Sequence, residues 1–217
     1  MITDLSPSDC SKYASALRAS KLVENGMKVG LGTGSTAFWL VRHLADRIRN
    51  ESLNFVGVPT SIRTREQAHG EGIRLISMDD AGRLDITIDG ADEFDQSMNL
   101  IKGGGGAHLQ EKIVAFGSDI MVVIADESKK VNKLGKFPLP VEVLQFGSIS
   151  SQMKIEEMLI SQKYRDFNIK MRMNNKKPFI TDEGNYIFDL ELNEIADPRK
   201  LCSELNAIPG VVENGLF

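Results

Sequence analysis

Cysteine and histidine are scarce in this sequence. The two cysteines, Cys10 and Cys202, lie far apart, and neither has a metal-like spacing to any of the three histidines. This pattern argues against a disulfide framework and against zinc. No segment approaches the roughly 20 apolar residues that span a bilayer, and the N-terminus lacks a secretion-signal pattern. We therefore expect a cytoplasmic protein without a bound metal or cofactor.

An excess of one charge is also missing. The formal net charge is −4, with 26 basic and 30 acidic residues interspersed along 217 residues. Such a surface does not favour a nucleic acid or a membrane as a partner, so a small anionic ligand must be bound by local donors. The length allows one large domain or two modest ones.

Short apolar runs that end in polar or glycine-rich turns recur through the first half of the chain. One run, 27–31, leads into a glycine turn and then into a helical pattern up to Ile48; further runs occupy 55–58, 84–88 and 120–125. Ser6 and Pro7 indicate the start of an earlier helix, and Asn25-Gly26 indicates its end. We predict an α/β fold with an open, mostly parallel Rossmann-like sheet, buried on both faces and with helices on both sides.

The pattern changes at the two prolines of Phe137–Pro140. We therefore predict a first domain over 1–134 and a second over 135–217. In the second domain, a strand (141–144), a helix (150–162), two strands (167–173 and 179–189) and a helix opened by Asp197-Pro198 indicate a small α+β, ferredoxin-like unit. Asp182–Asn185 is its predicted hairpin turn.

Two polar motifs follow predicted strands, where open parallel sheets bind ligands, and a third motif is rich in glycine. Gly30–Thr36 offers backbone N–H groups and two hydroxyls at a helix start, and so predicts a phosphate site, with a plain tight turn as the alternative. It is not a nucleotide fingerprint, because Ser35 stands at the third glycine position and the P-loop lysine is missing. Asp89–Glu93 contains three carboxylates directly after a predicted strand, which indicates a functional site, with a solvated loop as the alternative. In Lys102–Gly106, one lysine precedes four glycines, which favours close approach of a ligand to the backbone.

Glu111 and Lys112 follow on the next predicted helix, whose buried face we expect to contain Ile113, Val114 and Phe116. A glutamate in a first helical turn also interacts favourably with the helix dipole, so its position after the glycine loop is what makes Glu111 a candidate. Lys129 follows a strand and is otherwise an ordinary exposed lysine. His108 is a weaker candidate for polarising a carbonyl.

Together these residues indicate proton transfer on a sugar phosphate. Glu111 is the candidate base that removes a carbon-bound proton. Lys102 and the amides of Gly103–Gly105 are candidates for stabilising an enediolate. Asp89 and Asp92 are candidates for moving protons between the two oxygens.

These motifs resemble those of one family, the type A ribose-5-phosphate isomerases. The similarity runs through nearly the whole chain in the family's order, and the combination of the first, third and fourth stretches is very specific. The similar stretches are GLGTGSTA (30–37), VPTS (58–61), DGADE (89–93), KGGGG with EK nine residues on (102–112), ADESK (125–129), GKFPLPVEV (135–143) and IPGVVENGLF (208–217).

The resemblance implies interconversion of ribose 5-phosphate and ribulose 5-phosphate in the non-oxidative pentose phosphate pathway, without a cofactor, by a homodimer or homotetramer. It implies that Glu111 is the proton acceptor and that Lys12 is a further phosphate contact. The substrate contacts that it implies are Thr33, Gly34, Ser35, Thr36, Asp89, Gly90, Ala91, Asp92, Lys102, Gly103, Gly104, Gly105 and Lys129.

Three features depart from the family pattern. His108 stands where relatives have a small or aliphatic residue, residues 163–177 look longer, and the chain ends at Phe217, before the usual C-terminal return to the first domain. An alternative function is a sugar-phosphate-sensing effector domain of similar fold, which would need a DNA-reading helix pair. An amino-sugar phosphate deaminase or an acyl-transfer enzyme would not account for Lys102 and Glu111.

Overall fold

A computed structural model describes residues 6–217, so the first five residues of the predicted first domain lie outside it. The helices are α1 (Pro7–Ser20), α2 (Ser35–Glu51), α3 (Ile62–Gly70), α4 (Met78–Ala81), α5 (His108–Phe116), α6 (Ser148–Ser161) and α7 (Pro198–Asn206). The strands are β1 (Lys28–Leu31), β2 (Val56–Pro59), β3 (Leu84–Asp89), β4 (Glu93–Phe94), β5 (Leu100–Ile101), β6 (Ser118–Val123), β7 (Leu139–Val143), β8 (Asn168–Met171), β9 (Met173–Asn174), β10 (Lys177–Pro178), β11 (Tyr186–Glu191) and β12 (Val211–Asn214). None of the helices within 6–217 combines the length and apolar character needed to cross a membrane.

The described chain divides into two compact units. Unit 1 contains the chain up to Ala91 and Gln110–Ser128, and unit 2 contains Asp92–Leu109 and Lys129–Phe217. This division differs from the predicted boundary after residue 134, because unit 2 also takes 92–109 and 129–134. The hydrogen bonds of the backbone explain the difference, since Leu100 donates to the carbonyl of Phe217 and Lys102 donates to that of Gly215.

Unit 1 is built on a four-stranded parallel sheet in the order β2-β1-β3-β6. This arrangement confirms the predicted α/β fold class. The core is formed by apolar residues of the strands and of α1 and α2, among them Val29, Leu31 and Leu40. Burial on both faces holds for β1 and β3 but not for β6, where Ile120 is 59% exposed. The expectation is therefore wrong for β6, and edge position alone does not explain it, because β2 is also an edge strand and is mostly buried.

Helix α1 begins as predicted and ends earlier than predicted. The Ser6 hydroxyl accepts a hydrogen bond from the backbone N–H of Asp9, and Pro7 occupies the first helical turn. The helix ends at Ser20, and not at Asn25-Gly26. The guanidinium of Arg47 explains the early end, because it donates to the carbonyls of Ser20 and Val23 and so satisfies groups that another helical turn would use.

Unit 2 is built on an antiparallel sheet in the order β12-β7-β11-β8, which is the ferredoxin-like order for strand-helix-strand-strand-helix-strand. Strand β7 begins at Leu139, so the second proline of the predicted break lies inside the strand. The predicted strand over 179–189 is interrupted, because Thr181 donates to the carbonyl of Asn185 and turns the chain before β11. The predicted hairpin turn Asp182–Asn185 lies within this interruption, and β9 and β10 form a separate antiparallel hairpin.

Candidate active site

The glycine turn of unit 1 connects β1 to α2. Gly32 has no room for a side chain, because an added Cβ would lie 2.1 Å from Asp89 Oδ1. Gly34 has φ 107°, which favours glycine, and it precedes α2 without a side-chain cap. Gly34 has no side chain that could accept hydrogen bonds from the N–H groups of the first helical turn, so these groups are left for a ligand. Such a helix start suits an anion, and the phosphate site itself stays a prediction.

Asp89 holds this turn from the end of β3. Its buried carboxylate accepts hydrogen bonds at Oδ1 from the backbone N–H of Thr33 (3.0 Å) and from that of Gly90 (2.7 Å). Three of the predicted substrate-binding residues are thus brought together within unit 1. The contacts show Asp89 as a support for the turn, and its part in proton transfer stays a prediction.

A cluster of hydroxyls below the turn was missed by the sequence reading. Thr33 Oγ1 lies 2.8 Å from Thr60 Oγ1, 2.8 Å from Ser61 Oγ and 3.2 Å from Thr64 Oγ1. Thr60 Oγ1 and Thr64 Oγ1 also donate to the carbonyls of Leu31 and Gly32, each at 3.0 Å. The polar residues after β2 were the only sequence signal for this cluster. That signal is ambiguous, because Ser61 also serves as the N-cap of α3.

Glu111 lies in the first turn of α5 and is only 4% exposed. Burial removes water from a carboxylate and makes it a stronger base toward a weakly acidic proton. The expected buried face of this helix is wrong in part, because Val114 is buried whereas Ile113 is 51% and Phe116 93% exposed. Helical periodicity explains this result. Val114 lies three residues after Glu111 and shares its buried face, whereas Phe116 lies five residues after Glu111 and faces another side.

Within unit 2, Asp92 directly precedes β4 and Lys102 directly follows β5, so the antiparallel pairing of these strands places both residues at the same end of the pair. The Asp92 carboxylate accepts from the backbone N–H of Gly104 at 2.7 Å, and a Cβ on Gly104 would lie 2.7 Å from Asp92 Oδ1. Lys102 is 2% exposed, and its ammonium lies 5.4 Å from the ring centre of Phe217. A cation this deeply buried needs anionic or π partners.

The glycines after Lys102 form a tight loop. Gly103 and Gly106 have φ of 100° and 78°, and the N–H of Gly106 donates to the carbonyl of Gly103 at 2.9 Å. An added Cβ would lie 2.8 Å from His108 Nδ1 at Gly103 and 2.5 Å from the Phe179 ring at Gly106. Both the backbone conformation and the available space therefore require glycine at Gly103 and Gly106. A loop with these requirements is not a flexible linker.

His108 belongs to a buried polar group in unit 2. Its Nε2 lies 3.7 Å from Glu142 Oε2, and both side chains are fully buried. Glu142 Oε1 accepts from Thr181 Oγ1 (2.8 Å) and Asn185 Nδ2 (2.9 Å). Burial raises the pKa of the Glu142 carboxyl above its ordinary value, while those two hydrogen bonds oppose the rise.

A second residue that the sequence reading missed is Arg172, which donates to the carbonyls of Gly103 (2.7 Å) and Gly104 (3.3 Å). Nothing local marks it, because it lies almost 70 residues from the loop in sequence. The two outlying lysines are placed differently. Lys12 forms an ion pair with Asp9 on α1 (3.4 Å), and Lys129 ends a short 3₁₀ turn, Glu127–Lys129, and is half-buried.

Residues 6–217 contain few clustered side chains of the kinds that bind metals. No group of three or more His, Cys, Asp or Glu side chains there is arranged to hold a metal ion. The expectation of a metal-free reaction stays a prediction.

A parallel α/β sheet with an uncapped glycine turn, a buried glutamate and a lysine among glycines are features expected of an enzyme that transfers protons on a small anionic molecule. The class is that of the aldose–ketose isomerases. The chain belongs to the ribose 5-phosphate isomerase A (phosphoriboisomerase A) family, whose model matches residues 56–217.

Individual relatives agree with this assignment. The chain is 60% identical to the ribose-5-phosphate isomerase A of Ruegeria sp. (strain TM1040), over all of this chain and 83% of that protein. The solved structure of ribose 5-phosphate isomerase A from Methanocaldococcus jannaschii is 44% identical, with a TM-score of 0.89 over 97% of this chain and 91% of that one. A D-ribose-5-phosphate isomerase solved in complex with phospho-erythronic acid is 36% identical, with a TM-score of 0.89 over 98% and 91%. The predicted family is confirmed.

Proposed function

We propose that this chain interconverts ribose 5-phosphate and ribulose 5-phosphate through an enediolate, in the non-oxidative branch of the pentose phosphate pathway. The observation that carries the proposal is the buried Glu111 in the first turn of α5, nine residues after Lys102 and its glycine loop. The family membership of the chain supports the same reaction.

The phosphate is assigned to the start of α2. The Thr33 hydroxyl is engaged by the hydroxyl cluster and the Thr33 amide by Asp89, so Thr33 acts as a support for the turn. Gly34, Ser35 and Thr36 then supply the amides and hydroxyls that contact the phosphate oxygens. Lys12 and Lys129 are proposed as further positive charges for the same group.

Glu111 is assigned the transfer between the two carbons. Its carboxylate removes the proton from C2 of the aldose, the electron pair of that C–H bond forms the C1–C2 double bond, and the carbonyl electrons move to O1. The same proton is then returned to C1, which gives the ketose. A buried carboxylate suits this step, because desolvation strengthens it as a base.

The oxygens of the enediolate are assigned to Lys102, the glycine loop, Asp89 and Asp92. Lys102 supplies positive charge, and the glycine loop supplies amide donors. The Gly104 amide already donates to Asp92, so the Gly103 and Gly105 amides are the stronger candidates. Asp89 and Asp92 move protons between O1 and O2, with Gly90 and Ala91 contacting the sugar through their backbone.

One relative supports a ligand of this shape, since a D-ribose-5-phosphate isomerase was solved with phospho-erythronic acid. The carboxylate of that compound places two oxygens on one planar carbon, much as an enediolate places two oxygens on adjacent planar carbons. We propose that the present chain binds the same compound, needs no cofactor and acts in the cytoplasm as a homodimer or homotetramer.

Turnover of ribose 5-phosphate in the presence of a chelator tests the proposal. Ribulose 5-phosphate should form, and Glu111→Gln should reduce kcat by about 10²–10⁴-fold, the usual share of a general base. Glu127→Gln is the matched control, because Glu127 is an exposed carboxylate. Full activity of Glu111→Gln would contradict the assignment of the base. Binding without turnover by the unaltered protein would favour the sensing alternative instead.

A further inference from the structure

The Arg172 side chain donates to two carbonyls of the glycine loop, those of Gly103 and Gly104. We propose that Arg172, held by Asp189, is a positioning residue that fixes the Gly104 amide on Asp92 and orients the Gly105 amide for the isomerisation. This inference rests on the proposed function, to which it adds a residue that acts through the loop.

The backbone of Arg172 is fixed on both sides. It lies between β8 and β9, its N–H donates to the carbonyl of Ile187 at 2.8 Å, and its carbonyl accepts from the N–H of Phe179 at 2.9 Å. The guanidinium carbon also lies 5.9 Å from the centre of the Phe179 ring. The side chain therefore starts from a rigid position at the edge of the sheet.

The guanidinium is oriented by a two-point ion pair. Nε donates to Asp189 Oδ2 at 2.9 Å, and the second terminal nitrogen donates to Asp189 Oδ1. Both side chains are mostly buried, at 14% and 21% exposure. Because the guanidinium is planar, this pairing determines where the remaining nitrogen points, and that nitrogen donates to the carbonyls of Gly103 and Gly104.

These two carbonyls control two amides. The chain has no cis peptide bonds among its described residues, so each N–H points away from the carbonyl of its own peptide. The Gly103 carbonyl shares a peptide with the N–H of Gly104, which donates to Asp92. The Gly104 carbonyl shares a peptide with the N–H of Gly105. Arg172 therefore turns both carbonyls to its own side and both N–H groups to the opposite side.

The contact also has an electrostatic effect. A positive charge on the carbonyl oxygen polarises the peptide and makes its N–H a stronger donor. Asp189, Arg172, the Gly103–Gly104 peptide and Asp92 thus form one chain of hydrogen bonds with a charged group at each end. The Gly104 carbonyl is polarised in the same way, so the Gly105 N–H becomes the stronger and fixed donor that an oxyanion forming during a reaction requires.

Substitution of Arg172 by methionine tests this role, with Lys170→Met as the matched control. Lys170 lies two residues earlier, on β8, and forms an exposed ion pair with Glu191 of β11 at 2.6 Å. The two variants remove the same charge from the same sheet, but only Arg172 contacts the loop. Arg172→Lys adds a conservative variant that keeps the charge and loses the planar fork.

We expect Arg172→Met to lower kcat on the order of 100-fold with KM changed less than threefold, since misplaced catalytic groups have effects of this size. Affinity for phospho-erythronic acid should fall in parallel with kcat, and affinity for inorganic phosphate should stay unchanged. Arg172→Lys should recover less than tenfold. Lys170→Met should match the unaltered protein. A kcat for Arg172→Met equal to that of Lys170→Met, or an effect on KM alone, would overturn the proposal.

Hydrogen exchange separates this inference from the proposed function. The amides of 103–106 should exchange at least tenfold faster in Arg172→Met than in Lys170→Met, while the β7 and β11 amides stay protected in both. This measurement needs no turnover, so an inactive unaltered protein would count against the proposed function alone. Equal exchange of 103–106 in the two variants would count against Arg172.

Discussion

The two glycine-rich loops of this chain are supported in different ways. The Gly32–Ser35 turn rests on neutral hydroxyls from the next strand and helix, together with one carboxylate. The Lys102–Gly106 loop is contacted by charged or ionisable side chains, namely Asp92, Arg172 and His108. Two of these three come from outside the strand pair that carries the loop.

The difference agrees with the proposed roles of the loops. A phosphate is charged before and after the reaction, so its site needs a well-formed set of donors but no change during catalysis. An enediolate is charged only in the course of the reaction, so its donors gain from fixed charges nearby. Neutral hydrogen bonds contribute about 0.5–1.5 kcal/mol each, and bonds to charged groups about 1.5–3 kcal/mol. The second loop therefore depends more strongly on each single contact.

The largest expected effect is that of Gly32→Ala in the unit 1 turn. The new Cβ would lie 2.1 Å from Asp89 Oδ1 and 2.6 Å from the Asp89 Cα, so the backbone itself must move. We expect loss of more than 99% of isomerase activity and destabilisation by about 1–3 kcal/mol in urea unfolding. Gly104→Ala should be milder, because its Cβ would meet only the end of the Asp92 side chain, at 2.7 Å.

Gly70→Ala is the control for this pair, because an added Cβ meets no atom within 4 Å there and the backbone needs no positive φ. Its activity and stability should match those of the unaltered protein. A Gly104→Ala variant that unfolds more readily than Gly32→Ala would contradict the ranking and the view that the second loop can yield at a side chain.

A smaller effect is expected from Thr33→Val, which removes the hydroxyl at the centre of the cluster. Three hydroxyl contacts are lost while the volume is nearly kept, so we expect a cost of about 1–3 kcal/mol in urea unfolding. Ser35→Ala should change stability by less than about 0.5 kcal/mol, as at an ordinary exposed position. It should instead raise KM, since Ser35 is proposed to contact the phosphate. If Thr33→Val instead raised KM and Ser35→Ala lowered the stability, Thr33 would be the phosphate contact and Ser35 the support of the turn.

The sequence was sufficient for elements whose signals are local. Caps at Ser6 and Asp197 were recognised because the capping oxygen and the following proline are neighbours in the chain. The β1 strand, its glycine turn and α2 were predicted for the same reason. The parallel order of the first sheet followed from apolar runs that alternate with helices.

The supports of the second loop could not be predicted, because they depend on strand register. Arg172 and Asp189 are 17 residues apart, and only the pairing of β8 with β11 aligns them. Glu142 lies in the predicted strand 141–144, and nothing in the local sequence marks it. Its place beside the buried His108 depends on the packing of unit 2. The buried face of α5 was wrong because apolar character alone does not determine which side of a helix faces the core.

The smallest effects concern two carboxylates of unit 2 that respond to pH in opposite directions. Burial raises the pKa of Glu142 above the ordinary value of 4.5, so the folded state binds its proton more tightly than the unfolded state does. The cost of ionising Glu142 is therefore absent in acid and grows as the pH rises through the raised pKa. Glu142→Gln should be more stable than the unaltered protein at pH 8, and the difference should vanish below about pH 4.

Glu191 supplies the opposite case for the same measurement. Hydrogen bonds from Lys170 and Asn168 lower the pKa of Glu191, so its stabilising effect is present above the ordinary pKa and is lost as the pH falls through the lowered one. Glu191→Gln should be slightly less stable than the unaltered protein at pH 8 and equal to it in acid. Urea unfolding of both variants from about pH 2 to pH 8 compares them directly. A Glu142→Gln variant that is destabilised at pH 8 would contradict this prediction, because the ionised carboxylate would then gain more from its neighbours than burial costs it.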